Sequence, residues 1–327
     1  MKAEQYARDA LQLAEHASDR DLLLEAHHIL LVPQAMMGEL ELSQQSAERV
    51  EALYDAERDR GHAFVFGHDP ACCAVVFRAL TLWISGYPER ARDALLRAEA
   101  IARNANHQWT LAMALQWAAI VHGLRGDAVA CSKVTKALRS VSEKGGFAYW
   151  AAWASFLEGW VLAQQAQLDE GIESMETGVA ELQSLFGSLG NSIRLALLSE
   201  ASGGNHEVDD ALRTLEGALA MVGETDERIW ESEIYRLKGE MLLRESSRPD
   251  QAGECFSKAL QIAKAQYAKS FELRAATSLA RLLRDTGRHQ AARTMLAEIY
   301  GWFTEGFDTK DLKDAKSLLD ELGVAAG

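Results

Sequence analysis

The sequence predicts an all-α solenoid of helical hairpins, with about seven repeats of roughly 40 residues plus a capping helix. Three observations predict it. Ala, Leu, Glu, Gln and Arg dominate a chain of 327 residues that holds only 4 prolines, a mixture that favours helix over strand. Small residues recur in pairs twelve or thirteen positions apart: Ala79/Ala91, Ala118/Ala130, Gly159/Gly171, Ser199/Ala211, Gly239/Ala252 and Ala280/Ala292. The second members follow one another at intervals of 39, 41, 40, 41 and 40 residues. Antiparallel helices approach closely only where side chains are small, so each pair marks the crossing point of one hairpin.

Taken in order, residues 1–19 read as a leading half-repeat: an amphipathic helix that is the second member of a hairpin without its first. Residues 20–60 hold a weaker copy, Gln34/Ser46, set off by a longer connection. Repeats follow over 70–105, 107–144, 147–187, 188–223, 225–267 and 269–303, and residues 308–322 read as a capping helix opened by Asp308-Thr309. Turn signals separate the two helices of each pair: Gly86-Tyr87-Pro88, Gly126-Asp127, Gln167-Leu168-Asp169, Gly203-Gly204-Asn205, Arg248-Pro249-Asp250 and Gly287-Arg288. Gly supplies the left-handed helix end, and Asp or Pro opens the next helix. Trp109, Trp150, Trp230 and Phe271 each precede the first small residue by nine positions and should wedge between successive repeats. Ala252-x3-Phe256-x2-Ala259 matches the second-helix signature of tetratricopeptide repeats, so a single tetratricopeptide-like right-handed superhelix over 1–327 is expected.

The formal net charge of −14 repels phosphate backbones and argues against nucleic acid as a partner. The 4 cysteines include no CxxC pair, no apolar run is long enough to span a membrane, and the N-terminus has no signal-like apolar region. A reduced, cytoplasmic chain is expected. No phosphate-cradling loop, catalytic triad or paired-carboxylate motif is present, so no catalytic residue and no cofactor are assigned. His62 and His68 lie near each other in sequence with no third ligand, which reads as structural; Asp69-Pro70 reads as a helix cap. Adjacent Cys72 and Cys73 read as small buried residues.

The concave face of the superhelix is the candidate site. With the first small residue as zero, positions −6, −3, +1 and +4 of each first helix should face inward. They supply Trp83, His122, Trp153, Phe156 and Trp160 in the middle, and Arg236, Arg274, Arg281 and Arg284 toward the C-terminus. Guanidinium groups hold carboxylates bidentately, and Trp and Arg dominate binding hot spots. An extended peptide or neighbouring domain with an acidic segment is therefore the expected occupant. Two alternatives stand beside it: the arginines pair with Glu233, Glu240 and Glu272 on adjacent helices, or the aromatics are core because the superhelix winds tightly. A pocket for a small molecule near Trp83, Trp153 and Trp160 is the second functional reading.

Several runs carry a resemblance: Leu82-Trp83-Ile84-Ser85-Gly86-Tyr87-Pro88, Glu233-Ile234-Tyr235-Arg236-Leu237-Lys238-Gly239-Glu240, Lys269-Ser270-Phe271-Glu272-Leu273-Arg274, and Tyr300-Gly301-Trp302-Phe303-Thr304-Glu305-Gly306-Phe307-Asp308-Thr309. Together they resemble the C-terminal region of large bacterial signalling proteins that join a class III adenylate/guanylate cyclase domain, or a winged-helix regulator, to a predicted P-loop ATPase and a tetratricopeptide tail. The resemblance implies a non-catalytic regulatory tail that senses ligands or mediates assembly. Its partner would be a protein or peptide, the family's own upstream domains among the candidates, with homo-oligomers open and no membrane contact. The nearest glycine cluster, Gly187-Ser188-Leu189-Gly190, lacks the lysine of a P-loop, so the chain looks like the tail alone.

Overall fold

The computed structural model describes residues 2–187, 190–203, 208–244 and 248–324. The turn signal at Gly204-Asn205 and the Ser188-Leu189 part of the glycine cluster lie outside these residues. Among the described residues there are helices and turns but no strand. A lone helix α1 (Lys2–Ala17) precedes the hairpin of α2 (Arg20–Met36) and α3 (Leu40–Leu53). A connector with a short helix α4 (His62–Phe66) leads to α5 (Pro70–Ile84) and α6 (Pro88–Ala105). Then come α7 (Gln108–Leu124) with α8 (Ala128–Gly145), α9 (Ala148–Gln164) with α10 (Leu168–Phe186), and α11 (Asn191–Gly203) with α12 (Val208–Thr225). The last hairpins pair α13 (Glu231–Arg244) with α14 (Pro249–Ala265), and α15 (Lys269–Asp285) with α16 (His289–Tyr300); α17 (Lys310–Val324) covers the end.

Local chemistry sets these boundaries. Asp69 Oδ1 accepts from Cys72 N at 2.8 Å with Pro70 opening α5, and Asp127 caps α8 through Ala130 N at 2.9 Å. The small-residue pairs sit at the helix crossings. A Cβ on Gly159 would lie 2.5 Å from Gly171 O, and one on Gly171 would lie 2.8 Å from Gly159 O, so these two backbones touch and only glycine fits. Elsewhere the crossing is stitched by polar atoms: Ser199 Oγ donates to Ala211 O at 2.9 Å, and Ser46 Oγ to Gln34 Oε1 at 2.7 Å. The nine-before aromatics do wedge between repeats. The rings of Trp109 and Trp150 meet at 5.3 Å, and those of Trp230 and Phe271 at 6.1 Å.

The superhelix winds tightly enough to meet itself. Counting first helices from α5 through α7, α9, α11 and α13, the sixth, α15, packs back on α5. Trp83 on α5 stacks edge-on against Phe271 of α15 at 5.5 Å, and Ser270 Oγ donates to Trp83 O at 2.5 Å. The inward faces consequently fill the axis with side chains rather than lining an open channel.

Candidate functional site

The nine expected groove residues divide three ways. Trp83, Trp153, Phe156 and Trp160 are at most 4% exposed, so the aromatic stripe is mostly core, and of the four Trp160 reaches the cavity described below. Trp83 meets Phe271 of α15 across the closed turn, whereas Phe156 lies against Gly178 in its own hairpin and Trp160 against Gly123 in the preceding one. Trp153 lies under the Arg194 guanidinium at 5.2 Å, and Trp83 under that of Arg274 at 5.1 Å. His122 is half-buried apart from the arginines, and burial lowers its pKa.

Three of the four arginines are already paired. Glu233, 3% exposed, accepts from Arg236 Nη2 at 2.8 Å and Nε at 2.9 Å, and from Arg274 Nη1 at 2.9 Å. Burial works to raise the Glu233 carboxyl, but the two guanidiniums outweigh it and bring it down to about 2. Arg274 also donates to Asp311 Oδ2 at 2.8 Å and to Leu124 O at 2.5 Å. One side chain thus ties together α7, α13, α15 and α17. Arg236 lies 3.7 Å from both Glu200 and Glu240, and Ser278 Oγ donates to Glu240 Oε1 at 2.5 Å. Arg284 pairs with Asp285 and Glu321 near the surface. Glu272 is engaged by Lys269 at 2.7 Å instead of an arginine. Arg281 is the exception: half-buried, it forms no ion pair among the described residues.

Arg281 opens onto a cavity of about 480 Å³. Trp160, Leu124, Leu168 and Leu197 give it apolar lining, and Arg236, Arg274, Arg281 and Lys310 line it together with Glu200, Asp311 and Asp314, Lys310 pairing with Asp314 at 3.3 Å. Four of the nine expected residues therefore share one chamber. Sequence periodicity missed its α17 wall, because Lys310, Asp311 and Asp314 belong to the cap and not to any repeat. It also missed that residues about 150 positions apart, such as Leu124 and Arg274, would meet.

The histidines near the first connector sit in a network of ion pairs. Asp21 and Asp59 come within 4.8 Å of His62, a trio with metal-ligand spacing. Arg20, however, holds Asp59 through both oxygens at 2.9 and 2.6 Å, and Arg58 holds Asp21 at 2.8 Å. A cation there would have to displace two guanidiniums, so the trio is an ion-paired joint between α2 and the connector. His62 Nδ1 meets Glu25 Oε1 at 2.6 Å, and His28 Nδ1 meets Glu25 Oε2 at 2.9 Å. Cys72 and Cys73 are buried, and Cys72 Sγ donates to Ala98 O at 3.5 Å.

Fold and cavity together define a tetratricopeptide-like helical-hairpin solenoid whose first helices converge on one charged chamber. Residues 231–301, covering the hairpin of α13 and α14 and the one after it, match the tetratricopeptide repeat family model. An uncharacterized protein of Rhizobium meliloti (strain 1021) is 22% identical over 277 residues, which is 84% of this chain and 27% of that protein. The chain thus spans about a quarter of its relative's length. Among solved structures, a signal-transduction ATPase with numerous domains carrying a tetratricopeptide repeat sensor, from Pyrococcus horikoshii, superposes on 100% of this chain and 50% of its own. The TM-score is 0.50 at 12% identity, a likeness of fold. Yeast Tom70 is also similar, with a TM-score of 0.38 and 10% identity over 99% of this chain and 90% of its own. No helix among the described residues is long and apolar enough to cross a membrane.

Proposed function

We propose that the chain is a non-catalytic protein-interaction and regulatory module of a bacterial signal-transduction protein, working in the cytoplasm, and that its partner places an acidic group against Arg281. The observation that carries this reading is a half-buried guanidinium without a carboxylate, set beside an apolar wall in a chain of net charge −14. Its neighbours Arg236 and Arg274 are spoken for by Glu233, which narrows the acidic contact from a stripe of arginines to one. The likeness to an ATPase with a tetratricopeptide sensor supports a regulatory tail, and the family's upstream domains are one source of the acidic segment.

The test is fluorescence anisotropy with labelled peptides of alternating Glu and Leu, against the protein and its Arg281→Glu variant. Charge reversal should weaken binding at least tenfold, about 1.4 kcal/mol. Equal affinity for the two proteins removes the acidic contact. The second reading is a small-molecule sensor, favoured by the closed axis: the chamber of about 480 Å³ falls in the range of ligand pockets. A thermal-shift screen of metabolites and nucleotides separates the two, since a chamber ligand raises the melting temperature by mass action.

A further inference from the structure

We infer that residues 269–324 form a hinged lid over the chamber, held shut by a clasp between the turn joining α5 to α6 and the loop joining α16 to α17. The inference rests on reading the chamber as the binding site, but the movement itself is measurable with no ligand present.

The buried apolar side chains fall into two clusters. One runs from Leu24 through the hairpins to Phe271; the other, from Leu273 to Leu322, belongs to α15, α16 and α17. The two abut within α15, where Phe271 belongs to the first cluster, against Trp83 and Trp230, and Leu279 packs against both. The chamber lies on that boundary. The main body contributes Leu124, Trp160, Leu197 and Arg236, and the C-terminal unit contributes Arg274, Arg281 and Asp311.

Polar groups cross the boundary beside the apolar contacts of Phe271 and Leu279. Arg274 to Glu233, Arg274 to Leu124 O and Ser278 to Glu240 all cross it. Such groups find replacement partners in water when they separate, unlike buried leucines. Interfaces of this kind within a chain are where relative motion is expected.

The far edge of the lid is fastened by few contacts. Glu305 Oε1 accepts from Glu89 N at 2.8 Å and Arg90 N at 3.1 Å, capping α6 from 215 residues away. Glu89 Oε1 accepts in return from Gly306 N at 3.1 Å. Trp302 packs on Tyr87 at 5.5 Å, and Arg90 covers the other ring at 3.6 Å. A Cβ on Gly306 would run into Pro88 at 2.1 Å, so the loop fits this turn closely. The carboxylate caps lie at the surface, where water competes with them.

The three amides of Glu89, Arg90 and Gly306 are bonded across the clasp and so report its opening by hydrogen exchange. The experiment compares the wild-type chain with two variants. Gly126→Cys with Lys310→Cys places a disulfide between the main body and the lid just beyond the clasp, four residues past Gly306, where a Cβ on residue 126 would stand 2.9 Å from Lys310 Cβ, within an ångström or so of disulfide spacing. Glu305→Ala removes the cap from an exposed loop and leaves both cores intact.

In the wild type the three amides should exchange at least tenfold faster than amides inside α9. Oxidising the staple should slow all three together, and reduction should restore them. Glu305→Ala should speed Gly306 along with Glu89 and Arg90, although Gly306 is not bonded to Glu305. Exchange of the three only at the rate of global unfolding overturns the lid. So does exchange indifferent to the oxidised staple, which is the mark of local fraying. If the staple prevents folding, an unchanged Gly306 rate in Glu305→Ala overturns it alone. The labelled Glu-Leu peptide is added last. Slowed exchange with no peptide signal keeps the lid and removes the peptide reading, whereas slower peptide association under the staple joins the two.

Discussion

Glu233 shows how far one buried carboxylate can organise a fold. It neutralises Arg236 and Arg274 together, and removing it leaves two guanidiniums buried without their partner. Glu233→Ala should therefore cost about 3–5 kcal/mol in urea denaturation at pH 7. Its pKa, about 2, lies below the unfolded value near 4.5. The unfolded chain thus binds the extra proton, and this stabilisation is full above pH ~4.5 and is lost as pH falls toward 2. His68 titrates nearer neutrality. Burial, helped by His28 and His107, lowers it to about 4, and its Nε2 accepts from Trp109 Nε1 at 3.0 Å, which requires the neutral ring. A base depressed in the folded state stabilises above the unfolded pKa, ~6.5, and that contribution fades as pH falls to 4. Urea titrations at pH 7 and pH 4.5 should show a loss on the order of 2 kcal/mol in the wild type. His68→Asn should shrink that loss, leaving the part carried by His27, His107 and His122, whose rings burial also lowers.

At the scale of the element, the hairpin crossing is what the sequence states most clearly. The Gly159/Gly171 contact follows from two residues and a spacing, and the structure places backbone against backbone there. Gly159→Ala should destabilise by about 1–3 kcal/mol or more, since Gly171 O and Met175 N cannot move aside as a side chain would. Gly217, inside α12, would present a Cβ to open space. Gly217→Ala should be neutral or gain up to about 1 kcal/mol through helix propensity. Differential scanning calorimetry of the pair checks whether crossing position, and not glycine as such, sets the cost. The helix caps at Asp69 and Asp127 and the inter-repeat aromatics were legible for the same reason: each depends on neighbours within one repeat length. The site was legible only in part. Periodicity identifies which residues of a first helix face inward. It carries no information on the winding that decides whether they line a groove or fill a core, so for Trp83 and Phe156 both readings stood open and burial decides for the core. Arg274 was similarly found as an inward cation, while its partners Asp311 and Leu124 O come from distant parts of the chain.

At the scale of the whole molecule, closure decides what the solenoid can do. An open superhelix offers a long groove to an extended chain; one whose sixth first helix returns to the first offers a chamber. The two runs that fasten it, Gly86-Tyr87-Pro88 and Trp302-Phe303-Thr304-Glu305-Gly306, dock on each other although about 215 residues separate them. Small-angle X-ray scattering tests the closure most directly. A closed, filled turn of 327 residues should give a radius of gyration near 20 Å, as for a compact domain of that length, with a bell-shaped distance distribution. A radius well above that, with a long tail of distances from separated ends, would contradict it.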